Sequence, residues 1–255
     1  MPLEQCPPTV HVLSSTEQVA DHVANLVFYE AKQAIELRQR FVIGFSGGSI
    51  PALIGPELVK RESDFSKWWV LFVDERCVPH SDPESNFGLL KKHFLSHIDI
   101  PGEQIFAISE EAMRSGSEAA AEEYEKRIIS SPIWQNGCAF IDTILLGVGP
   151  DGHTASLFPN RNHEMVRHGP LFEGVNDSPK PPPCRITMTL RCFQLTYRGL
   201  FVVCGSSKRE ILARIVKKEC EQGEQLLPAC LVHTMRPVCW FIDSDADPGI
   251  SQLYT

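Results

Sequence analysis

Apolar runs of strand length alternate along this chain with amphipathic stretches of helix length. Phe41–Phe45 is apolar throughout, as expected of a strand buried on both faces, and Ile141–Leu146 reads as another buried strand. Val10–Ser14, Trp69–Val73, Gln104–Ile108, Leu171–Val175, Arg185–Leu190, Leu200–Val203 and Val238–Ile242 read as further strands. Between them, Ser15 followed by Gln18 resembles a capping box opening a helix to about Arg40, within which Val19, Val23, Leu26 and Val27 recur at helical spacing. A short helix containing Pro51 and longer ones over Ser85–Ile98, Glu118–Ile129 and Lys208–Cys220 complete the pattern. Strands alternating with helices predict an α/β fold: a mostly parallel central sheet with helices on both faces. There are no internal repeats, and the Pro-rich Ser178–Pro183 is too short to divide the chain, so residues 1–255 are expected to form a single domain.

In open parallel sheets, ligands bind beyond the carboxyl ends of the strands. Three segments at such positions carry unusual chemistry. Ser46-Gly47-Gly48-Ser49 joins a strand to a helix, and its two glycines permit close approach of backbone N–H groups to a phosphate or sugar hydroxyl. It has neither the Lys of a Walker loop nor a dinucleotide fingerprint. Asp74-Glu75-Arg76 ends a hydrophobic strand; in a cleft, Arg76 suits a phosphate and Asp74 could orient a sugar or a base. Gly147–Thr154 is a constrained turn in which Asp151 and His153 are one residue apart, and a carboxylate beside an imidazole is the arrangement that activates water. Gly205-Ser206-Ser207-Lys208 opens a helix after a strand and places Lys208 near a possible anion. Ser178–Pro183 reads as a stiff loop delivering Arg185 to its strand.

The charge balance of 24 Lys+Arg against 32 Asp+Glu, a formal net charge of −8, argues against a general nucleic-acid binder and leaves room only for a local basic pocket. No apolar run approaches the ~20 residues needed to span a bilayer. The first and last residues carry no recognisable targeting signal, so the expected location is the cytosol. Nine scattered cysteines without a Cys-x-x-Cys pair read as reduced thiols rather than as zinc ligands. A metal site joining His153 to His163 and His168 is disfavoured, since those residues lack ligand spacing, and no metal is expected.

Taken together, GFSGGS (44–49), VDERCVP (73–79), LLGVGPDGHTASLFP (145–159), SPKPPPCRITMTL (178–190), GSSK (205–208) and CWFID (239–243) resemble, in order and across nearly the whole chain, the 6-phosphogluconolactonase family. The SPKPPP stretch with its R-x-T is similar to the eukaryotic-like branch. The resemblance implies the fold shared with glucosamine-6-phosphate deaminases. It also implies hydrolysis of 6-phosphoglucono-δ-lactone, a small sugar phosphate, without metal or organic cofactor and without nucleic-acid or membrane partners. By motif, it implies His153 as general base with Asp151 and Asp74 as site carboxylates. It further implies Gly47, Gly48 and Ser49 as the glycine loop, and Arg76, Arg185 and Lys208 as basic substrate contacts. Two rivals remain: a deaminase, whose pattern carries a glutamate five residues after the motif histidine where this chain has Phe158, and a catalytically silent sugar-phosphate sensor.

Overall fold

The computed structural model describes residues 8–135, 138–139, 141–159, 161, 169–216 and 227–250. Its strands are β1 (Thr9–Leu13), β2 (Phe41–Phe45), β3 (Trp68–Phe72), β4 (Asp74–Arg76), β5 (Trp134–Gln135), β6 (Cys138–Ala139), β7 (Ile141–Leu146), β8 (Phe172–Val175), β9 (Arg185–Met188), β10 (Thr196–Val203) and β11 (Cys239–Asp243). The helices are α1 (Thr16–Arg38), α2 (Ile50–Val59), α3 (Asn86–His93), α4 (Glu110–Met113), α5 (Ser117–Ile129), α6 (Leu190–Gln194), α7 (Arg209–Val216) and α8 (Pro228–Leu231).

Six strands form one sheet in the order β1-β11-β10-β7-β2-β3, and every pairing in it is parallel. The central strands β2 and β7 are buried along their whole length, which explains why β2 is apolar from end to end; β7 carries Asp142 and Thr143 near its start and is apolar from Ile144 onward. One face is covered by α1, α2 and α3 around Val23, Val27, Ile54 and Phe94. The other carries a core built from α5, α6 and α7 with Tyr124, Phe193, Phe201 and Ile211. Helix α1 starts where the sequence places it, because the Ser15 hydroxyl accepts the Gln18 N–H, and it ends on Gln39 in the left-handed region (φ 59°). The chain leaves β2 toward β3 on one side and returns through β7 on the other, so the order of strands reverses between β2 and β7. At the carboxyl ends beyond that point lies the position where open α/β sheets bind their ligands.

Several expectations are corrected. Asp74–Arg76 is a strand rather than a loop, and Arg185–Met188 leaves the parallel sheet; β4, β9 and β8 form a separate antiparallel sheet. Val73 joins the two sheets, its N–H donating to Phe45 and its carbonyl accepting from Met188. Gln104–Ile108 is no strand: a 3-10 turn over Gly102–Gln104 precedes a single bridge from Ile105 to Val70, and the apolar residues there bury Phe106 and Ile108 in the core. The helix expected over Ser85–Ile98 breaks at Phe94, whose backbone leaves the helical region. Lys208 ends a 3-10 turn ahead of α7, and the rest of that predicted helix beyond Val216 lies outside the described residues.

Candidate active site

The turn after β7 is shaped by close contacts that only glycine allows. Gly152 has φ +84°, and a Cβ there would come within 2.7 Å of Leu227. At Gly149 a Cβ would stand 2.0 Å from Cε1 and Nδ1 of His153, so the imidazole lies directly against the backbone of its own turn. The Gly149 N–H donates to the His153 carbonyl at 2.8 Å, and the Thr154 hydroxyl donates to the Gly147 carbonyl at 2.9 Å. Phe158 backs the ring with centroids 4.8 Å apart.

Asp151 Oδ1 makes a short hydrogen bond with Nδ1 of His153. Against the upward push of burial, the His153 ring and the Lys180 ammonium hold the Asp151 carboxyl below its ordinary range, so it is ionised and can only accept. The ring proton therefore sits on Nδ1, and Nε2 presents a lone pair with no hydrogen-bond partner among the described residues. Burial lowers the His153 pKa, and the Lys180 ammonium adds to that while Asp151 opposes it, so the neutral base prevails at physiological pH. Lys180 Nζ lies 3.4 Å from Asp151 Oδ1 and 3.2 Å from His153 Nδ1. Lys208 donates to the Val148 carbonyl at 2.7 Å; burial and the neighbouring Lys180 lower its pKa.

The β4–β9 ladder supplies the second half of the site. Asp74 is buried and accepts the Ser156 hydroxyl at 2.8 Å. Arg76 donates to the carbonyl and carboxylate of Glu84 at 2.7 and 3.1 Å, while its Nε has no partner among the described residues. Its register partner Arg185 is almost wholly buried. The Arg185 guanidinium donates to the carbonyls of Pro182, Lys180 and Pro181 and to the Ser156 hydroxyl, and lies 5.6 Å over the Phe158 ring. Burial and the nearby Arg76 lower its pKa.

Glu75, between them, is fully buried and caps α3: its carboxylate accepts the N–H groups of Arg76, Asn86 and Phe87 at 2.7, 2.8 and 2.7 Å. Burial pushes its pKa up to about 7 despite those donors. That cap fixes Asn86, whose side-chain amide donates to the Asp74 carbonyl at 2.8 Å. Asn86 also fills the space beside Gly47, where a Cβ would lie 1.7 Å from its Oδ1. Gly48 has φ +64°, and Ser49 opens α2 without a side-chain cap. The backbone N–H groups of Gly47 and Gly48 donate to no described group.

The fold thus gathers His153, Asp151 and Lys208 around the turn after β7 and Asp74, Arg76 and Arg185 at the β4–β9 ladder, with Phe158 touching both His153 and Arg185 and Asn86 linking the ladder to the glycine loop. Sequence reasoning missed Lys180, Asn86 and Ser156; of these, Lys180 stands inside the quoted SPKPPP stretch, where the prolines drew attention to stiffness rather than charge. Among the described residues no group of three or more His, Cys, Asp or Glu could hold a metal ion, and His163 and His168 lie outside them. No helix among the described residues is long and apolar enough to cross a membrane.

The family model described as glucosamine-6-phosphate isomerases/6-phosphogluconolactonase matches residues 14–240. Human 6-phosphogluconolactonase is 36% identical over 249 residues, 94% of this chain and 93% of its own. The crystal structure of 6-phosphogluconolactonase from Thermotoga maritima superposes with a TM-score of 0.78 at 24% identity, covering 92% of this chain and 99% of that one. A monomeric glucosamine-6-phosphate deaminase superposes with a TM-score of 0.73 at 21% identity, covering 93% and 98%, and shows the shared fold.

Proposed function

The chain belongs to the glucosamine-6-phosphate isomerase/6-phosphogluconolactonase family, and we propose that His153 activates the water with which this enzyme hydrolyses 6-phospho-D-glucono-1,5-lactone to 6-phospho-D-gluconate, in the oxidative branch of the pentose phosphate pathway. The observation that carries this reading is the His153–Asp151 pair: Nδ1 is occupied, Nε2 is bare, and burial keeps the ring neutral. A lactone is an ester, so its opening needs an activated water, a stabilised oxyanion and a held substrate. His153 Nε2 takes a proton from water as the oxygen attacks C1. Asp151 holds the imidazole and stabilises the imidazolium, which then returns the proton to the departing ring oxygen. The N–H groups of Gly47 and Gly48, at the start of α2 with Ser49, are available to the developing oxyanion or a sugar hydroxyl.

The 6-phosphate is taken by Arg76, Arg185 and Lys208. Arg76 brings its unpartnered Nε. Arg185 has most of its donors committed to the loop that carries Lys180, so it serves both the anion and the loop. Asp74, fixed by Ser156, orients the sugar. The reaction proceeds in the cytosol and involves no nucleic acid. The deaminase alternative finds no support, because its glutamate position is held by Phe158, which is buried beneath both His153 and Arg185.

Replacing His153 with Ala tests the assignment. We expect kcat to fall about 10²–10⁴-fold while binding of 6-phosphogluconate stays nearly intact, after subtraction of spontaneous lactone opening. A folded variant that keeps the wild-type kcat would transfer the role of base to another group, Asp74 first. Intact binding with lost turnover would also separate the lactonase from a silent sensor.

A further inference from the structure

The β4–β9 ladder ends on two cysteines. Asp74 stands opposite Thr187, Glu75 opposite Ile186 and Arg76 opposite Arg185. The next rung is Cys77 opposite Cys184, and the Cys77 N–H donates to the Cys184 carbonyl at 2.9 Å. Side chains alternate between faces along a strand, so both thiols stand on the face turned away from Arg76 and Arg185, the side of the buried Glu75 and Ile186. Both are free and half-buried, and Cys77 packs against the apolar core. Opposed residues in a hydrogen-bonded antiparallel rung have Cα atoms about 5.5 Å apart, inside the roughly 4.4–6.8 Å that a disulfide spans. No other two described cysteines stand opposite one another in a strand register.

We propose that Cys77 and Cys184 form a cross-strand dithiol site that a low-molecular-weight disulfide of the glutathione type oxidises to an intramolecular cystine. The Cys184 thiolate attacks one sulfur of the small disulfide, whose S–S bond breaks; one small thiol leaves and takes up a proton. Cys77 then gives its proton to solvent and attacks Cys184 Sγ, expelling the second small thiol. Two protein S–H bonds and one small-molecule S–S bond become one protein S–S bond and two small thiols, with two electrons passing from protein to oxidant. Cys184 reacts first because burial and the adjacent Cys184 thiol push the Cys77 thiol up, leaving little Cys77 thiolate. The cystine ties the end of the ladder beneath Arg76 and Arg185, and its formation does not depend on how the site above it is used.

The test uses the folded full chain, incubated with oxidised glutathione at mildly alkaline pH, acid-quenched, alkylated without reduction, digested and mapped by mass spectrometry. The expected result is a Cys77–Cys184 cross-linked peptide pair that accounts for most of both residues and disappears on reduction with dithiothreitol. In Cys77→Ser, Cys184 should retain glutathione as a stable mixed disulfide. Should that variant misfold, the wild-type map decides alone. Recovery of both residues alkylated, a mixed disulfide persisting on wild-type Cys184, or a link from either residue to a different cysteine would overturn the proposal.

Discussion

Where β7 and β10 begin, Glu30 of α1 accepts the Thr143 hydroxyl and pairs with Arg198, while Asp142 pairs with Arg38 and accepts the Val42 N–H at 2.8 Å. Where the same strands end, Asp151 holds one nitrogen of His153 and leaves the other bare, with Lys180 and Lys208 gathered around them. Both ends bury acids and bases together. At the basal end each carboxylate meets its own arginine, and burial raises both acids, Asp142 to about 6. At the upper end burial instead lowers His153, while its neighbours hold Asp151 down and ionised. Matched charges with fixed partners are structural; a base with one partner fixed and one open is poised for chemistry.

The comparison breaks most visibly if the basal pairs also serve turnover. Arg198→Met leaves Glu30 buried without its cation and should cost on the order of 3–5 kcal/mol in a denaturant titration, with the kcat of the folded fraction little changed. Lost turnover at unchanged stability would erase the distinction. The converse experiment is Gly149→Ala, which places a methyl group on the His153 ring. Displacing a catalytic group by about 1 Å can cost about 10²-fold, so kcat should fall by about that factor with little loss of stability. A smaller effect is expected from Lys180→Met. Its ammonium is one of the groups that disfavour the imidazolium, after burial itself. Removing it raises the His153 pKa, so the acid limb of the kcat profile should move to higher pH, with turnover lost earlier as pH falls and only a few-fold change on the plateau. The smallest effect expected is none at all: exhaustive chelation with EDTA should leave turnover unchanged. Activity lost to EDTA and restored by one metal would point to His163 and His168.

How much of this was legible in the sequence follows from the range of the contacts. The His153–Asp151 pair lies within one turn, and the strand before it runs into that turn through the apolar Ile144–Leu146, so residue type and spacing sufficed. The glycine loop was equally local, although the reason for Gly47 was not, since the atom that excludes a Cβ there belongs to Asn86. Asp74-Glu75-Arg76 looked like a charged loop because its pairing partner, β9, lies more than a hundred residues away. Arg185–Leu190 alternates as a strand should, but nothing in its pattern distinguishes an antiparallel rung beside the site from a seventh parallel strand. At Gln104–Ile108 a run of apolar residues reads as sheet pairing, whereas in the fold it makes one bridge and buries Phe106 and Ile108.

The distance along the chain between β4 and β9 also has a consequence in time. Local contacts form early in folding, and pairings that close long loops wait until most of the chain is in place. Trp68 reaches its burial through nearby Phe41 and Phe65, whereas Asp74 meets Ser156 across 82 residues and Arg76 meets Arg185 across more. A refolding chain should therefore regain the fluorescence of a buried Trp68 before it opens any lactone. Each newly made molecule would then pass through an interval in which β2 and β3 are paired around Trp68 and the enzyme is silent.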